Sequence, residues 1–549
     1  MIWPGADRDP SLIVRAMGAV DRLSGGLKLV AGISCLGGSF GFGRAGGPAS
    51  HAGNAASAAV GGLVKSAARE LDGCSGRVLD IPPAAYGMPQ PGFAENCLAA
   101  LLSPGPVEVG LPGRDLFVTP ALKACGVPDL TGYFPLSPGD TVVATGGGRG
   151  VTAAVLLELA RRARPRFVIL GRTPLGPPEP GWLAELPDQK AITRALHERA
   201  PGLAPRELSL RARLTLNSRE IRATLDALRA LGSDAEYLAG PFDDPASAES
   251  CARRVKFRFG PVKGLVHGAG VILDHAVRGK SPEDFAKVYG TKAVLAQTLL
   301  SAFQDEPLSA IVFMSSSSAR FGRAAQADYA AGNEVLNKLA WEEREARPDA
   351  TVLSPSFGPF AGGMVDGRLA GLFASEGVGL IDVGAGARTT ARLLGLGPGG
   401  PCEIVVLGPG TDPAALDPDA SFPSGGGARG PALTPDAGGL PAAAPDPEPF
   451  PNPETGPRAE TGPNPEPLPD GEPGQRAEPL PDPETRGRPA AAPDAEPFPD
   501  PETGRHPEPG HDPEPFPDAE TGLAARPAPG ASPSASSPDA APRRGKDIP

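Results

Sequence analysis

The chain has 549 residues, with 69 prolines, 73 glycines and a formal net charge of −12. Residues 411–549 hold 36 of those prolines and 25 acidic against 10 basic side chains, a net of −15, which leaves 42 basic and 39 acidic residues, a net of +3, for 1–410. The acidity belongs to the tail, so the chain is not one acidic globule, and the near-neutral body excludes a strongly basic nucleic-acid binder.

In chain order, GLKLVAGIS (26–34) reads as a strand, followed by the glycine-rich LGGSFGFG (36–43). SAAVGGLVKSAARELDG (57–73) reads as a helix and GRVLDI (76–81) as a second strand. These units are too few for a complete domain. They are expected to form a small structural subdomain over 1–128, short enough to read as truncated, packed against the longer segment after it. From 141 the grammar becomes regular. Strands are expected at 141–146, 167–171, 235–240, 263–270, 309–316 and 351–358. Helices are expected at 152–164, 220–232, 247–260 and 328–345. Strands separated by helices imply parallel pairing, hence an α/β, Rossmann-like doubly wound sheet over 129–410. The tail, 411–549, repeats one unit as PDPEPFPNPETG (445–456), PDAEPFPDPETG (493–504) and HDPEPFPDAETG (511–522). Proline at this density with so few apolar residues reads as a disordered spacer. The rival reading takes Phe450, Phe498 and Phe516 as repeated anchors for a partner groove.

Six scattered cysteines (Cys35, Cys74, Cys97, Cys125, Cys251 and Cys402) form no CxxC pair and no Cys/His cluster. Reduced thiols are expected, with neither a disulfide framework nor a metal site. The sequence begins with no signal-peptide pattern and contains no 18-residue apolar run, so a cytoplasmic protein with no membrane partner is expected.

The segment Thr145, Gly146, Gly147, Gly148, Arg149, Gly150, Val151 joins the strand at 141 to the next helix. A glycine turn there lets backbone approach a pyrophosphate, with the helix N-terminus supplying amide donors. A glycine-rich turn alone is weak, but this one has the strand–turn–helix context that the mechanism needs. At the end of the next strand stand Arg172 and Thr173, where an NAD site presents a carboxylate to the ribose. A guanidinium suits a 2′-phosphate, with Arg149 assisting, so NADPH is the expected cofactor. A plain surface arginine remains the alternative.

TGGGRGVT, LGRT, VHGAGVILDH, YGTKAVLAQTLL, FMSSSSARFGRAAQADYAAGN and PSFGPFAGGMV together resemble the ketoreductase domains of polyketide synthases, especially of the polyunsaturated-fatty-acid type. These domains belong to the complex short-chain dehydrogenase/reductases. The resemblance spans 130–390 and, more loosely, 26–120. In that family a Tyr follows a Ser by 13 residues and precedes an Asn by four, with a Lys 24 before the Ser; Tyr329, Ser316, Asn333 and Lys292 match. Reduction of a ketone develops negative charge on oxygen that must be stabilised and protonated. Ser316 would orient the carbonyl and Tyr329 would supply the proton. The Lys292 ammonium would lower the phenol from its usual pKa of about 10 and hold the ribose hydroxyls. Asn333, one turn after Tyr329, would hold a water or the lysine.

The resemblance also implies cofactor contacts from His267, Gly268, Ala269, Gly270, Lys292 and Pro359. His267 reads as a packed histidine lining the cleft rather than an acid or base. Asp274 matches the last acidic position of the family's Leu-Asp-Asp signature, with Leu273 at the middle one. Phe321 stands where the opposite stereochemical class has Trp, so a D-hydroxy product is implied. Met364 falls in the lid segment over substrate. Some residues depart from the pattern: Thr152 and Arg149 replace glycines, and Pro241 stands where an Asp usually meets adenine. Asp244 reads as a helix N-cap instead. The implied function is NADPH-dependent reduction of a β-ketoacyl thioester presented on an acyl carrier protein; no carrier, ketosynthase or acyltransferase motif is visible, so the partner is expected on another chain, or this chain is a fragment. The alternatives are a reductase of a free small-molecule ketone and a catalytically idle scaffold that docks synthase partners through its tail.

Overall fold

The computed structural model describes residues 28–42, 55–83, 92–113, 116–126, 132–176, 178–242, 244–362, 365 and 367–416. The repeats at 445–522, under either reading, and Met364 lie outside the described residues.

Among the described residues there are two sheets. The first runs in the order β1 (Leu29–Ser34), β2 (Ser75–Asp80), β3 (Glu108–Gly113), β4 (Leu116–Val118), the first three parallel and β4 antiparallel to β3. Helices α1 (Ala59–Ala68) and α2 (Phe93–Leu102) link its strands. The sequence pattern shows no strand beyond β2, because Gly and Pro within EVGLPG obscure β3. The glycine-rich loop after β1 closes on the wholly buried Asp80. Its Oδ1 accepts from Leu36 N and Ser34 Oγ, each at 2.7 Å, and its Oδ2 from Phe40 N at 2.7 Å. A carboxylate of the chain itself thus satisfies the loop amides.

The second sheet begins with β5 (Thr141–Thr145), α3 (Gly150–Ala163) and β6 (Arg166–Gly171). Next come α4 (Gln189–Arg199), α5 (Pro205–Ala230), β7 (Ala235–Ala239), α6 (Pro245–Phe259) and β8 (Val262–His267). After these lie α7 (Pro282–Tyr289), α8 (Leu295–Ala302), β9 (Ala310–Phe313), β10 (Ser315–Ser316), α9 (Ser317–Phe321) and α10 (Ala327–Ala346). The chain closes the sheet with β11 (Thr351–Phe357), α11 (Gly367–Ser375), α12 (Val383–Leu394) and β12 (Glu403–Val406). All pairings are parallel, in the order β7-β6-β5-β8-β9-β11-β12, with β10 continuing β9 past a break at Met314. The doubly wound sheet expected from the alternating pattern is therefore present. TVVAT and AIVF are buried throughout because helices cover both faces. One core lies under α6, α8 and α10, the other under α3, α5 and α12.

The helix expected at 220–232 is longer, 26 residues from Pro205. With α4 it forms an insertion after β6 that has its own small core of Leu183, Ile192 and Ala212. Arg219 fastens it, donating to both carboxylate oxygens of Glu179 at 2.8–3.0 Å. Charged residues so dominate this stretch that its narrow apolar stripe escapes a periodicity reading. Asp244 does cap α6, accepting from Ser247 N at 3.0 Å.

The small sheet is locked to the large one by buried charge. Lys65 of α1 bonds Glu108 of β3 at 2.8 Å, and Arg320 of α9 bonds the other oxygen of the same carboxylate. Nearby, Lys338 of α10 reaches Glu403 of β12 at 3.0 Å and Glu334 at 3.6 Å. Burial would raise the Glu108 carboxyl, but Lys65 and Arg320 outweigh it and hold the pKa at about 2. A depressed carboxyl stabilises the fold above its ordinary range, and that contribution is lost as pH falls towards about 2. Breaking such a pair from one side strands a buried charge. Lys65→Met is therefore expected to cost roughly 3–5 kcal/mol in a urea titration at neutral pH.

Candidate active site

The strand order reverses between β5 and β8, and the crevice beyond the carboxyl ends of these strands is where doubly wound sheets bind ligands. The sequence-derived residues gather around it. Ser316 ends β10 and caps α9, its Oγ accepting from Ser318 N at 3.2 Å. Tyr329 lies in the first turn of α10 and Asn333 one turn on, with Asn333 Nδ2 donating to Tyr329 O at 2.8 Å. Lys292 sits in a single π-helical turn, Gly290–Val294, between α7 and α8, a device common at functional sites. The turn sends the lysine inward. Its Nζ donates to Met314 O at 2.8 Å, the carbonyl left at the β9/β10 break, and lies 5.6 Å from the Tyr329 ring centroid.

Sequence reasoning missed what pins this arrangement. Ser354 and Ser356, on one face of β11, donate to Asn337 Oδ1 of α10 at 2.8 and 3.1 Å. Ser356 also reaches Ser315, which donates to Asn333 O at 3.2 Å. The serines at i and i+2 in SPSF were the visible signal, and their partner Asn337 is eight residues past Tyr329.

Electrostatics reverse one expectation. Lys292 does not depress Tyr329. Burial raises the phenol, Asn333 opposes the rise and Asp274 adds to it. The physical reason is that the lysine is itself desolvated, which lowers its own pKa to about 7, and its ammonium is turned to Met314 O. Burial likewise lowers His267 to about 3, with the Lys292 charge adding to the effect, so this ring is neutral. His267 Nδ1 and Thr145 Oγ1 are hydrogen-bonded at 2.9 Å, and both side chains are buried. They tie β5 to β8.

The glycine loop is shaped for a close ligand. Gly146 has φ +72°, and a Cβ there would lie 2.8 Å from Ala269 N, so no other residue fits without displacing the segment Gly268, Ala269, Gly270. Gly147, Gly148, Gly150 and Val151 carry the loop into α3, whose N-terminus faces the crevice. Arg149 is exposed and turned to Asn217 and Glu220 of α5. Arg172 is exposed past the end of β6 beside Thr173 and makes no ion pair among the described residues. Pro359 comes two residues after β11, its carbonyl accepting from Ile381 N at 2.8 Å. Buried Asn333 Oδ1 has no hydrogen-bond partner among the described residues. A phosphate cradle, an available guanidinium and an orphaned amide oxygen beside Tyr329 together fit a bound dinucleotide.

At the substrate end, Asp274 is exposed, and its Oδ2 accepts from Gln326 Nε2 at 3.3 Å. Phe321 is buried, its carbonyl held by Arg69 Nε at 2.9 Å. Among the described residues there is no cluster of three metal-ligating side chains and no helix long and apolar enough to cross a membrane.

Residues 140–359 match the family model described as KR domain. The chain is 33% identical over 282 residues to a polyunsaturated fatty acid synthase chain of Thraustochytrium sp., covering 49% of this chain and 10% of that protein. It is 32% identical over 126 residues to polyketide synthase PksM of Bacillus subtilis, covering 23% of this chain and 3% of that one. The chain thus spans a tenth or less of these relatives. Its fold is that of a ketoreductase from the first module of phoslactomycin biosynthesis in Streptomyces sp., with TM-score 0.55, 22% identity and coverage of 76% and 84% of the two chains. A ketoreductase domain from the bacillaene assembly line gives TM-score 0.54 at 19% identity, covering 72% and 81%.

Lys292 supplies a test of the site's electrostatics. Its ordinary pKa of 10.5 falls to about 7 in the fold. Between those values the unfolded chain holds the extra proton, so stability rises with pH across that window. Lys292→Met should remove that component of the rise, as read from urea midpoints measured at intervals from pH 7 to 10.5.

Proposed function

We propose that residues 140–359, which match the family model described as KR domain, form an oxidoreductase of the short-chain dehydrogenase/reductase type. From that premise we propose that it is an NADPH-dependent β-ketoacyl reductase acting on a thioester borne by an acyl carrier protein. The observation that carries this reading is a wholly buried Lys292 beside Tyr329, at the same crevice edge as Ser316 and Asn333.

Reduced nicotinamide, when bound, supplies the hydride. The backbone of Gly146 to Val151 would hold its pyrophosphate, Arg172 and Arg149 the 2′-phosphate, and Lys292 the ribose hydroxyls, with 267–270 and Pro359 at the nicotinamide end. Ser316 donates a hydrogen bond to the ketone oxygen and fixes its direction. Tyr329 delivers the proton to that oxygen as charge develops. The phenol is raised by burial and so holds its proton until it is needed. Lys292, poised at about 7, can replace that proton. Asn333 Oδ1 is free to bind a water in the same chain of donors. The six cysteines are free, which suits a reducing, cytoplasmic setting.

Tyr329→Phe should lower NADPH oxidation with a β-ketoacyl pantetheine thioester by about 10²–10⁴-fold, with the unfolding midpoint unchanged. Retained turnover would overturn the proton-donor role. Arg172→Glu should shift preference from NADPH towards NADH by roughly tenfold in kcat/KM. Faster reduction of a free ketone than of the thioester would favour a small-molecule reductase instead.

A further inference from the structure

Glu70 belongs to the small sheet's helical layer, in the turn after α1, yet both of its carboxylate oxygens are spent on the catalytic half. Oε2 accepts from Val277 N at 2.6 Å and Oε1 from Ala325 N at 2.8 Å. These amides belong to two different loops. One, 271–281, comes after β8 and carries Leu273 and Asp274. The other, 322–326, leads into the helix of Tyr329. Further bonds stitch the pair together. His275 N donates to Ala325 O at 3.1 Å, and Gln326 Nε2 meets Asp274 Oδ2 at 3.3 Å. Buried Lys280 joins Leu273 O at 2.8 Å to Asp328 Oδ2 at 2.7 Å, and Asp328 Oδ1 accepts from Tyr329 N at 2.8 Å.

Ala325 shows what this clamp costs locally. It has φ +67° and is one of three non-glycine residues with positive φ among those described. An alanine adopts that conformation only when its surroundings over-determine it. The acceptor that holds its amide is Glu70. Neither loop supplies an acidic partner of its own for these two amides, so a residue over 200 positions earlier in sequence sets the spacing between them.

We infer that Glu70 is a positioning residue that fixes the Asp274 loop against the start of the Tyr329 helix, and thereby determines which face of the ketone is presented. The inference rests on the proposed β-ketoacyl reduction and names a specificity determinant for it. A carboxylate bonded to two amides holds both loops at once. An amide side chain in its place turns a donor towards one of the two N–H groups, and one bond is lost.

The test compares the full chain with Glu70→Gln, Glu70→Asp and Glu70→Gln/Ala325→Gly. Hydrogen exchange reads the two loops, and the chirality of the hydroxy product from a β-ketoacyl pantetheine thioester reads the outcome. Glu70→Gln should speed exchange at one of the 277 and 325 amides by about tenfold, as loss of a charge-assisted bond implies, and leave the β5 and β8 amides unchanged. The product enantiomer ratio should fall, and KM should rise for the thioester but not for NADPH. Ala325→Gly, which removes the strain, should restore part of the ratio. Glu70→Asp, too short to span both amides, keeps the charge and guards against an unfolded Gln variant; it should behave as Gln does. Unchanged exchange in a chain that reduces the thioester would overturn the clamp alone. Faster exchange with an unaltered enantiomer ratio and thioester KM would reduce Glu70 to a structural role. A wild-type chain inactive on every β-ketothioester would overturn the proposed activity, while the exchange data would still decide the clamp.

Discussion

A Cβ on Gly62 would lie 2.4 Å from the carbonyl carbon of Ala330. Helix α1 and the tyrosine helix α10 can therefore cross backbone against backbone only because residue 62 has no side chain. That crossing puts the last turn of α1 and the turn beyond it in reach of the catalytic half. Lys65 meets the carboxylate shared with Arg320, Ser66 Oγ accepts from Arg323 N at 3.2 Å, and Arg69 holds Phe321 O at 2.9 Å. Wider spacing would leave Lys65 and Glu108 as a buried pair without their third member, and would free the segment between Ser316 and Tyr329. The small sheet thus acts as a splint along the stretch from Ser316 to Tyr329.

The site itself is a study in desolvation. Lys292 is inside the protein with one carbonyl for a partner, and the loss of hydration loosens its proton. The same burial tightens the proton on Tyr329. Both groups are removed from water together. Burial moves the lysine down towards neutrality while it holds the phenol in its protonated form. Burial thus shifts the two groups in opposite senses, the lysine towards easier loss of its proton and the phenol towards firmer retention.

Much of this was legible beforehand, and the reasons are specific. The six principal strands of the large sheet are continuous apolar runs between helices, and the tetrad of Lys292, Ser316, Tyr329 and Asn333 has fixed spacing on elements that pattern well. The insertion of α4 and α5 was not legible, because its arginines and glutamates outnumber the apolar residues that form its small core. β3 and β12 were missed for other reasons: Gly and Pro interrupt EVGLPG, and β12 is a four-residue strand paired to β11. The inward turn of Lys292 depends on one π-helical turn, which no apolar period announces. The bonds from Glu70 to residues 277 and 325 join segments over 200 positions apart, and spacing rules do not reach that far.

The two sheets each have a glycine-rich loop after a strand, but only one is open. Beside β5, the loop amides face a crevice. Beside β1, they are already answered by Asp80, whose carboxylate takes the role that a phosphate group would have. The first sheet is in effect a nucleotide fold with its anion built in as a side chain. Such a loop is permanently liganded: it needs no small molecule to hold its shape and cannot exchange one. The described residues therefore hold two copies of one architectural idea, one loop left open at the crevice and one sealed by a carboxylate of the chain itself.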